Sequence, residues 1–153
     1  MTDERTVLIA MDGSEHADCA FTYYKDNLYK EHDQLVIVYC AEYKSLNNQQ
    51  SLTMMSIDPA LVTNLIMEEE KEMNKIAEKF EALVKDHKMK GKLIRVGGEP
   101  GPGICKVAQE QNADFIITGS RGLGTVRRTF LGSVSDYIVH HSHVPVLVCR
   151  QKT

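Results

Sequence analysis

Short runs of consecutive apolar residues recur through the chain, and each is separated from the next by a stretch with helical periodicity. The runs Thr6 to Met11 (TVLIAM), Leu35 to Cys40 (LVIVYC), Phe115 to Thr118 (FIIT) and Val144 to Cys149 (VPVLVC) read as strands covered on both faces. A fifth run, Lys92 to Val96 (KLIRV), alternates charged and apolar residues and predicts an edge strand with one wet side. Between them, Ala17, Ala20, Phe21, Tyr24 and Leu28 form one stripe behind Ser14, a residue that can cap a helix. A long helix over Ala60 to His87 is predicted to turn Leu65, Ile66, Met73, Ile76, Ala77, Phe80, Leu83 and Val84 inward. Its pairs Glu72 with Lys75 and Glu81 with Lys85 belong to a solvated outer face. Ile104, Val107, Ala108 and Gln111 mark a third helix after the Gly101-Pro102-Gly103 turn, and Val134, Tyr137, Ile138 and His141 mark a fourth.

An alternation of this kind, with right-handed crossovers, predicts an α/β fold: an open, doubly wound, parallel five-stranded sheet of order 3-2-1-4-5. In such a sheet the winding direction reverses beside the first strand, and ligands bind in the crevice outside the carboxyl ends of strands one and four. Asp12 follows strand one and Gly119 follows strand four, so the two are expected to face each other there.

At 153 residues the chain has the size of one domain, expected to span residues 1–153, and its 42% hydrophobic content is that of a globular protein. A net charge of −3 supplies no global field for nucleic acid or an anionic membrane, so neither is expected as a partner. The charged start Met1 to Arg5 and the lack of any long apolar run predict neither a signal peptide nor a membrane span, hence a cytoplasmic location. Cys19, Cys40, Cys105 and Cys149 are widely spaced, and they read as structural thiols rather than a metal or redox site. His140, His141 and His143 could in principle hold a metal, but a place at a helix C-terminus explains them better. No residue is assigned as a metal ligand. The polar segment Ala41 to Pro59 is either a lid over the crevice or a surface insertion, and the insertion is the favoured reading; Met54 and Met55 could pack on a base or simply fill a gap.

After strand four the chain reads Gly119-Ser120-Arg121-Gly122, continues from Leu123 to Leu131, and reaches Gly132-Ser133-Val134-Ser135-Asp136. The glycines let the backbone approach a ligand closely, and Gly132-Ser133 opens a helix whose free amides and positive dipole end suit an anion. Hydroxyls at Ser133 and Ser135 would add donors. Against this stands a structural reading in which Ser133-x-x-Asp136 forms a capping pattern and the glycines serve turns. Arg121, Arg127 and Arg128 are as well explained by solvation as by phosphate contact. A Walker A loop fails because no Lys precedes Thr125, and a dinucleotide G-x-G-x-x-G fails because Arg127 stands at its third glycine.

These residues resemble the universal stress proteins, whose nucleotide-binding members carry G-x-x-G, nine residues, then G followed by Ser or Thr. Gly119, Gly122, Gly132 and Ser133 occupy every fixed position, and the segments VLIAMDGS and HSHVPVLVCR are similar too, so the likeness covers almost the whole chain. The resemblance implies a Rossmann-like fold of the adenine nucleotide alpha hydrolase kind, with ATP, ADP or AMP in the crevice. It implies Gly122, Gly132, Ser133 and the Val134 amide on the phosphates, Gly119 near the ribose, Asp12 on the adenosine part and Cys40 at the adenine pocket. Mg²⁺ would arrive through the phosphates, because no protein carboxylate cluster is offered.

The loop holds no dedicated base for hydrolysis, and Asp12, Ser14 and His16 are too close in sequence to converge as a triad, so no catalytic residue is assigned. The leading expectation is an ATP-binding switch or sensor in stress response. A slow ATPase, and an interaction module with a vestigial crevice, are the alternatives. The final strand, Val144 to Cys149, is too apolar for a solvent-facing edge and predicts a two-fold homodimer joined through it, as the resemblance also implies.

Overall fold

A computed structural model describes residues 4–11, 15–40, 59–87, 90–120 and 131–150. The strands are β1 (Thr6–Met11), β2 (Gln34–Cys40), β3 (Lys90–Val96), β4 (Phe115–Gly119) and β5 (Val146–Cys149), all parallel, in the order β3-β2-β1-β4-β5. The helices are α1 (Glu15–Tyr23), continued by a π turn over Tyr24–Leu28, then α2 (Pro59–His87), α3 (Pro100–Glu110) and α4 (Ser133–His141). The expected sheet order and the doubly wound arrangement are both present.

Successive strand residues feed opposite faces, which is why the runs carry no polar alternation. Val7, Ile9, Met11, Leu35, Ile37 and Ile117 pack with Ala17, Ala20, Phe21 and Tyr24 of the first helical segment and Ile76 of α2. Leu8, Ala10, Val36, Val38 and Ile116 pack on the other face with Ile104, Val107 and Ala108 of α3 and Ile138 of α4. β1 is buried from Val7 to Met11, and β3 is largely exposed at the edge. The first helix turns its predicted stripe inward, and Leu28 packs on the same core through the π turn.

Three expected boundaries and one expected core residue are corrected. β5 starts at Val146 instead of Val144, because the Val144 amide donates to Ser142 Oγ (3.1 Å) and Pro145 has no N–H, although its carbonyl accepts from Ile116 N (2.9 Å). β3 starts at Lys90, pairing with Gln34, two residues ahead of the expected Lys92. α3 starts at Pro100 with Glu99 as its N-cap, so Gly101-Pro102-Gly103 is the helix's first turn and no separate turn precedes it. Pro102 suits that turn, and Gly101 has a packing reason: a Cβ there would lie 2.7 Å from the Tyr137 ring. In α2, Met73, Ile76 and Phe80 face the core as expected, but Ile66 is 44% exposed. A helix of 29 residues is about 43 Å long against about 23 Å for the seven of β3, so its early turns reach beyond the strand. The Leu65, Leu83 and Val84 side chains lie outside the described set.

The amino end of the sheet is tied by a buried carboxylate. Asp33 accepts from Arg5 Nε (2.7 Å) and Nη2 (2.8 Å), Tyr24 Oη (2.8 Å) and the Lys30 amide (3.0 Å). Arg5 also donates to the Leu28 carbonyl and lies 5.3 Å from the Phe115 ring centre. Burial pushes the Asp33 carboxyl upward, but the bonds from Arg5, the Lys30 amide and Tyr24 outweigh it and hold it below the usual carboxylate range. Beside it, Asp114 accepts from the Thr6 amide (2.7 Å) and donates its own amide to the Thr6 carbonyl (2.8 Å).

Candidate functional site

The sheet order puts β1 between β2 and β4, so the winding reverses at the β1/β4 boundary. The register pairs Ile9 with Ile117, and continuing it brings Met11 level with Gly119. Asp12, one residue beyond Met11, and Gly122 lie outside the described residues, as do Ser14, Met54, Met55, Arg121, Arg127, Arg128 and the segment 41–58.

Gly119, Gly132, Ser133, Val134 and Ser135 are brought together at the carboxyl end of β4. Two bonds tie the start of α4 to the end of β4: Gly132 N donates to the Ser120 carbonyl (2.7 Å) and Ser135 Oγ to the Gly119 carbonyl (2.5 Å). Gly132 is the N-cap of α4, with extended backbone and no side-chain hydrogen bond to the helix. The first amides of a helix have no intrahelical acceptor, so Ser133, Val134 and Ser135 present their N–H groups at the positive end of the helix dipole. Asp136 N closes the first helical bond onto the Gly132 carbonyl (2.9 Å).

The hydroxyls divide by burial. Ser133 is exposed at the helix mouth, whereas Ser135 is buried and donates to the Gly119 carbonyl at 2.5 Å. The expected cap, Ser133 with Asp136, is not the one found: Ser133 is the first helical residue, and the exposed Asp136 carboxylate lies 3.4 Å from His140 Nε2 one turn on. Val134 packs against the α3/α4 core, leaving its amide as the group available to a ligand. Cys40, at the end of β2, buries its side chain in that same core beside Val38 and Ala10, so only the strand end can line a pocket there.

Sequence reasoning missed Thr118 and Ser120. Both are buried, and Thr118 Oγ1 lies 3.5 Å from Ser135 Oγ and 3.4 Å from the Gly119 carbonyl. The available signal was a hydroxyl closing an otherwise apolar strand, FIIT, immediately before a glycine. His141 Nδ1 lies 2.9 Å from the Tyr137 carbonyl, with its ring stacked on the Tyr137 ring at 3.9 Å. The four cysteines are free thiols. Burial, and then the nearby Cys19, push the Cys149 thiol up to about 11, and burial also raises Cys105, which leaves both weakly nucleophilic. No helix among the described residues is long and apolar enough to cross a membrane.

Fold and loop together define a Rossmann-like α/β domain with an open helix N-terminus and a glycine-rich connection at its topological switch point. The model of the universal stress protein family matches residues 4–150, and the chain belongs to that family. Universal stress protein Sll1388 of Synechocystis is 30% identical over 156 aligned residues, covering 94% of this chain and 96% of the relative. The solved structure of protein MJ0577, from Methanocaldococcus jannaschii, superposes with a TM-score of 0.73 at 26% identity, covering 97% of each chain. A family member from Arabidopsis thaliana, solved with AMP bound, superposes with a TM-score of 0.65 at 16% identity over 97% of this chain and 93% of the other, a likeness of fold.

Proposed function

We propose that this chain binds ATP or another adenine nucleotide at the β1/β4 crevice and serves as a nucleotide-dependent switch or sensor in the cytoplasmic stress response. The observation that carries the reading is the uncapped N-terminus of α4, fastened by Gly132 N to the Ser120 carbonyl beside Gly119. In it the phosphates lie on the Ser133 and Val134 amides and the Ser133 hydroxyl, at the mouth that Gly132 opens, with Gly122 completing the cradle; the Gly132 amide, expected on the phosphates, is instead taken by the Ser120 carbonyl. Gly119 adjoins the ribose, Asp12 holds the adenosine part, and the end of β2 at Cys40 borders the adenine. AMP on the Arabidopsis relative supports this choice of ligand class. Mg²⁺ is carried by phosphate oxygens and water, a hard cation needing few protein ligands in such a setting. Asp136, the nearest carboxylate in sequence to the helix mouth, pairs with His140 on an exposed face, which favours a switch over an efficient ATPase.

Mass spectrometry of nucleotide released from freshly purified protein, followed by calorimetry with ATP, ADP and AMP, tests the reading. Binding in the micromolar range is expected, and no heat at millimolar nucleotide would sink it. A turnover assay with Mg²⁺ then separates a switch from a slow ATPase. We also propose a homodimer through β5, the apolar edge strand whose Val146, Leu147 and Val148 are only half-buried in one chain. A single 17.2 kDa species in sedimentation equilibrium at high micromolar concentration would remove the dimer.

A further inference from the structure

The buried hydroxyls behind the loop have no part in the ligand contacts just assigned. Thr118, Ser120 and Ser135 are exposed by only 4%, 6% and 3%, and the hydroxyls of Thr118 and Ser135 lie against one peptide unit, the one joining Gly119 to Ser120. Its carbonyl accepts the Ser135 hydroxyl at 2.5 Å, and its N–H donates to the Cys149 carbonyl at the end of β5 at 2.9 Å. The next carbonyl, of Ser120, takes the Gly132 amide. Thr118 Oγ1, 3.5 Å from Ser135 Oγ, is placed to steer the Ser135 proton toward Gly119.

We infer that Ser135 is the positioning residue of the nucleotide loop, acting through the Gly119 carbonyl instead of touching phosphate itself. The inference rests on the reading that the nucleotide occupies this crevice. A hydroxyl has one proton to donate, and here it goes to a buried carbonyl that otherwise loses this donor. Because Ser135 sits on α4 and Gly119 on β4, the bond fixes the α4 N-terminus, which holds the phosphates, relative to Gly119 beside the ribose. Without it the Gly119 carbonyl keeps only the longer contact from Thr118 Oγ1 (3.4 Å) and the peptide is held mainly through its N–H bond to Cys149, which loosens the Ser120 to Gly132 closure.

The test compares Ser135→Ala, Ser135→Thr and Thr118→Val with the parent chain. Calorimetry reads ATP and adenosine affinities, and amide hydrogen exchange reads Ser120 and Gly132. Ser135→Ala is expected to weaken ATP about five- to tenfold, the worth of one hydrogen bond, while adenosine changes less than about twofold. Ser120 and Gly132 should exchange faster while Leu8 and Ile9 do not. Ser135→Thr, which keeps the hydroxyl, should recover both readouts, and Thr118→Val should show a smaller loss. Equal loss of ATP and adenosine with unchanged exchange would overturn the inference, leaving Ser135 a purely structural residue. If the parent chain binds no nucleotide, the functional reading fails, and the exchange of Ser120 and Gly132 decides the clamp alone. Should Ser135→Ala not fold, Ser135→Cys, close in size and a poor donor, takes its place under the same criteria.

Discussion

At the amino end of the sheet, the Asp33 carboxylate gathers donors from Arg5, Tyr24 and the Lys30 amide, and Asp114 closes on Thr6. At the carboxyl end, the first amides of α4 meet no side-chain cap, and Ser133 stands exposed at the helix mouth. Both ends carry polar groups, yet one set satisfies itself and the other faces outward. A network whose members partner one another stabilises a fold, whereas donors left open where backbone elements converge are available to an anion. Density of polar residues alone therefore does not locate a site; what separates the two ends is whether the protein supplies the acceptor.

The largest effect is expected from breaking the closed end. Asp33→Ala leaves the Arg5 guanidinium, Tyr24 Oη and the Lys30 amide without their acceptor. Since the Arg5 side chain is 22% exposed and partly rehydrates, the loss should be about 3 kcal/mol, at the lower bound for a broken buried pair. Urea denaturation measures it, and nucleotide affinity of the folded fraction should not change. The sign of the pH dependence follows from the depressed Asp33 carboxyl. A folded value below the unfolded one stabilises at all pH above the unfolded value, and the contribution disappears as pH falls through the folded value. The stability gap between parent and Asp33→Asn should hold from neutrality down to about pH 4 and close below it. Tyr24 is the mirror case: burial first, then Asp33, raises its phenol, so its contribution holds below about pH 10 and falls above. A gap unchanged down to pH 2 would mean that Asp33 is not the charged centre of the network.

The open end is tested by a substitution that should move stability and binding in opposite directions. Ser133→Asp places a carboxylate in the first turn of α4, where the helix dipole favours it by about 0.3–1 kcal/mol. The same charge occupies the phosphate position, so ATP affinity should fall at least about tenfold. Because Ser133 is exposed, the change meets no packing penalty. A variant that melts higher yet binds ATP normally would show that the phosphates lie elsewhere.

The sequence disclosed the two ends unequally. The doubly wound sheet was legible because strands buried on both faces must be apolar at every position, and Val7 to Met11 and Leu35 to Cys40 are. The start of α4 was legible because Gly132-Ser133 reads as a helix opening, and Gly132 is its N-cap. The Asp33 network was not, since Arg5 and Asp33 lie 28 residues apart and only the β1–β2 register brings them side by side. The role of Ser135 was obscured for a related reason. A serine in a first helical turn reads as a ligand donor until α4 is docked on β4 and its hydroxyl is seen turned back to Gly119. Ile66 was misplaced because periodicity gives the face of a helix but not how far the strand beneath extends.

The carboxyl end also contains glycines that mimic a ligand loop, and they provide the smallest and finest test. Gly97, Gly98, Gly101 and Gly103 come at and after the end of β3, as Gly119 and Gly122 come at and after the end of β4, but only the second cluster carries the spacing of a nucleotide loop. Their surroundings differ. A Cβ on Gly101 would stand 2.7 Å from the Tyr137 ring and 3.0 Å from Tyr137 Cβ, and that ring is held by its stack on His141. Gly101→Ala must therefore part α3 from α4, at about 1–3 kcal/mol, against which the better helix propensity of Ala returns about 1. A net loss near 1 kcal/mol with unchanged ATP affinity is expected. At Gly97 nothing lies within 4 Å of the added carbon, and its φ is not in the left-handed region, unlike Gly98 at φ 81°. Gly97→Ala should stabilise by about 0.5 kcal/mol, because Ala restricts the unfolded chain without straining the folded one. Thermal midpoints of the two variants and their ATP titrations measure this directly. If Gly101→Ala weakens ATP as strongly as Ser133→Asp does, the α3 turn borders the ligand, and the open end spans both helices of that face rather than α4 alone.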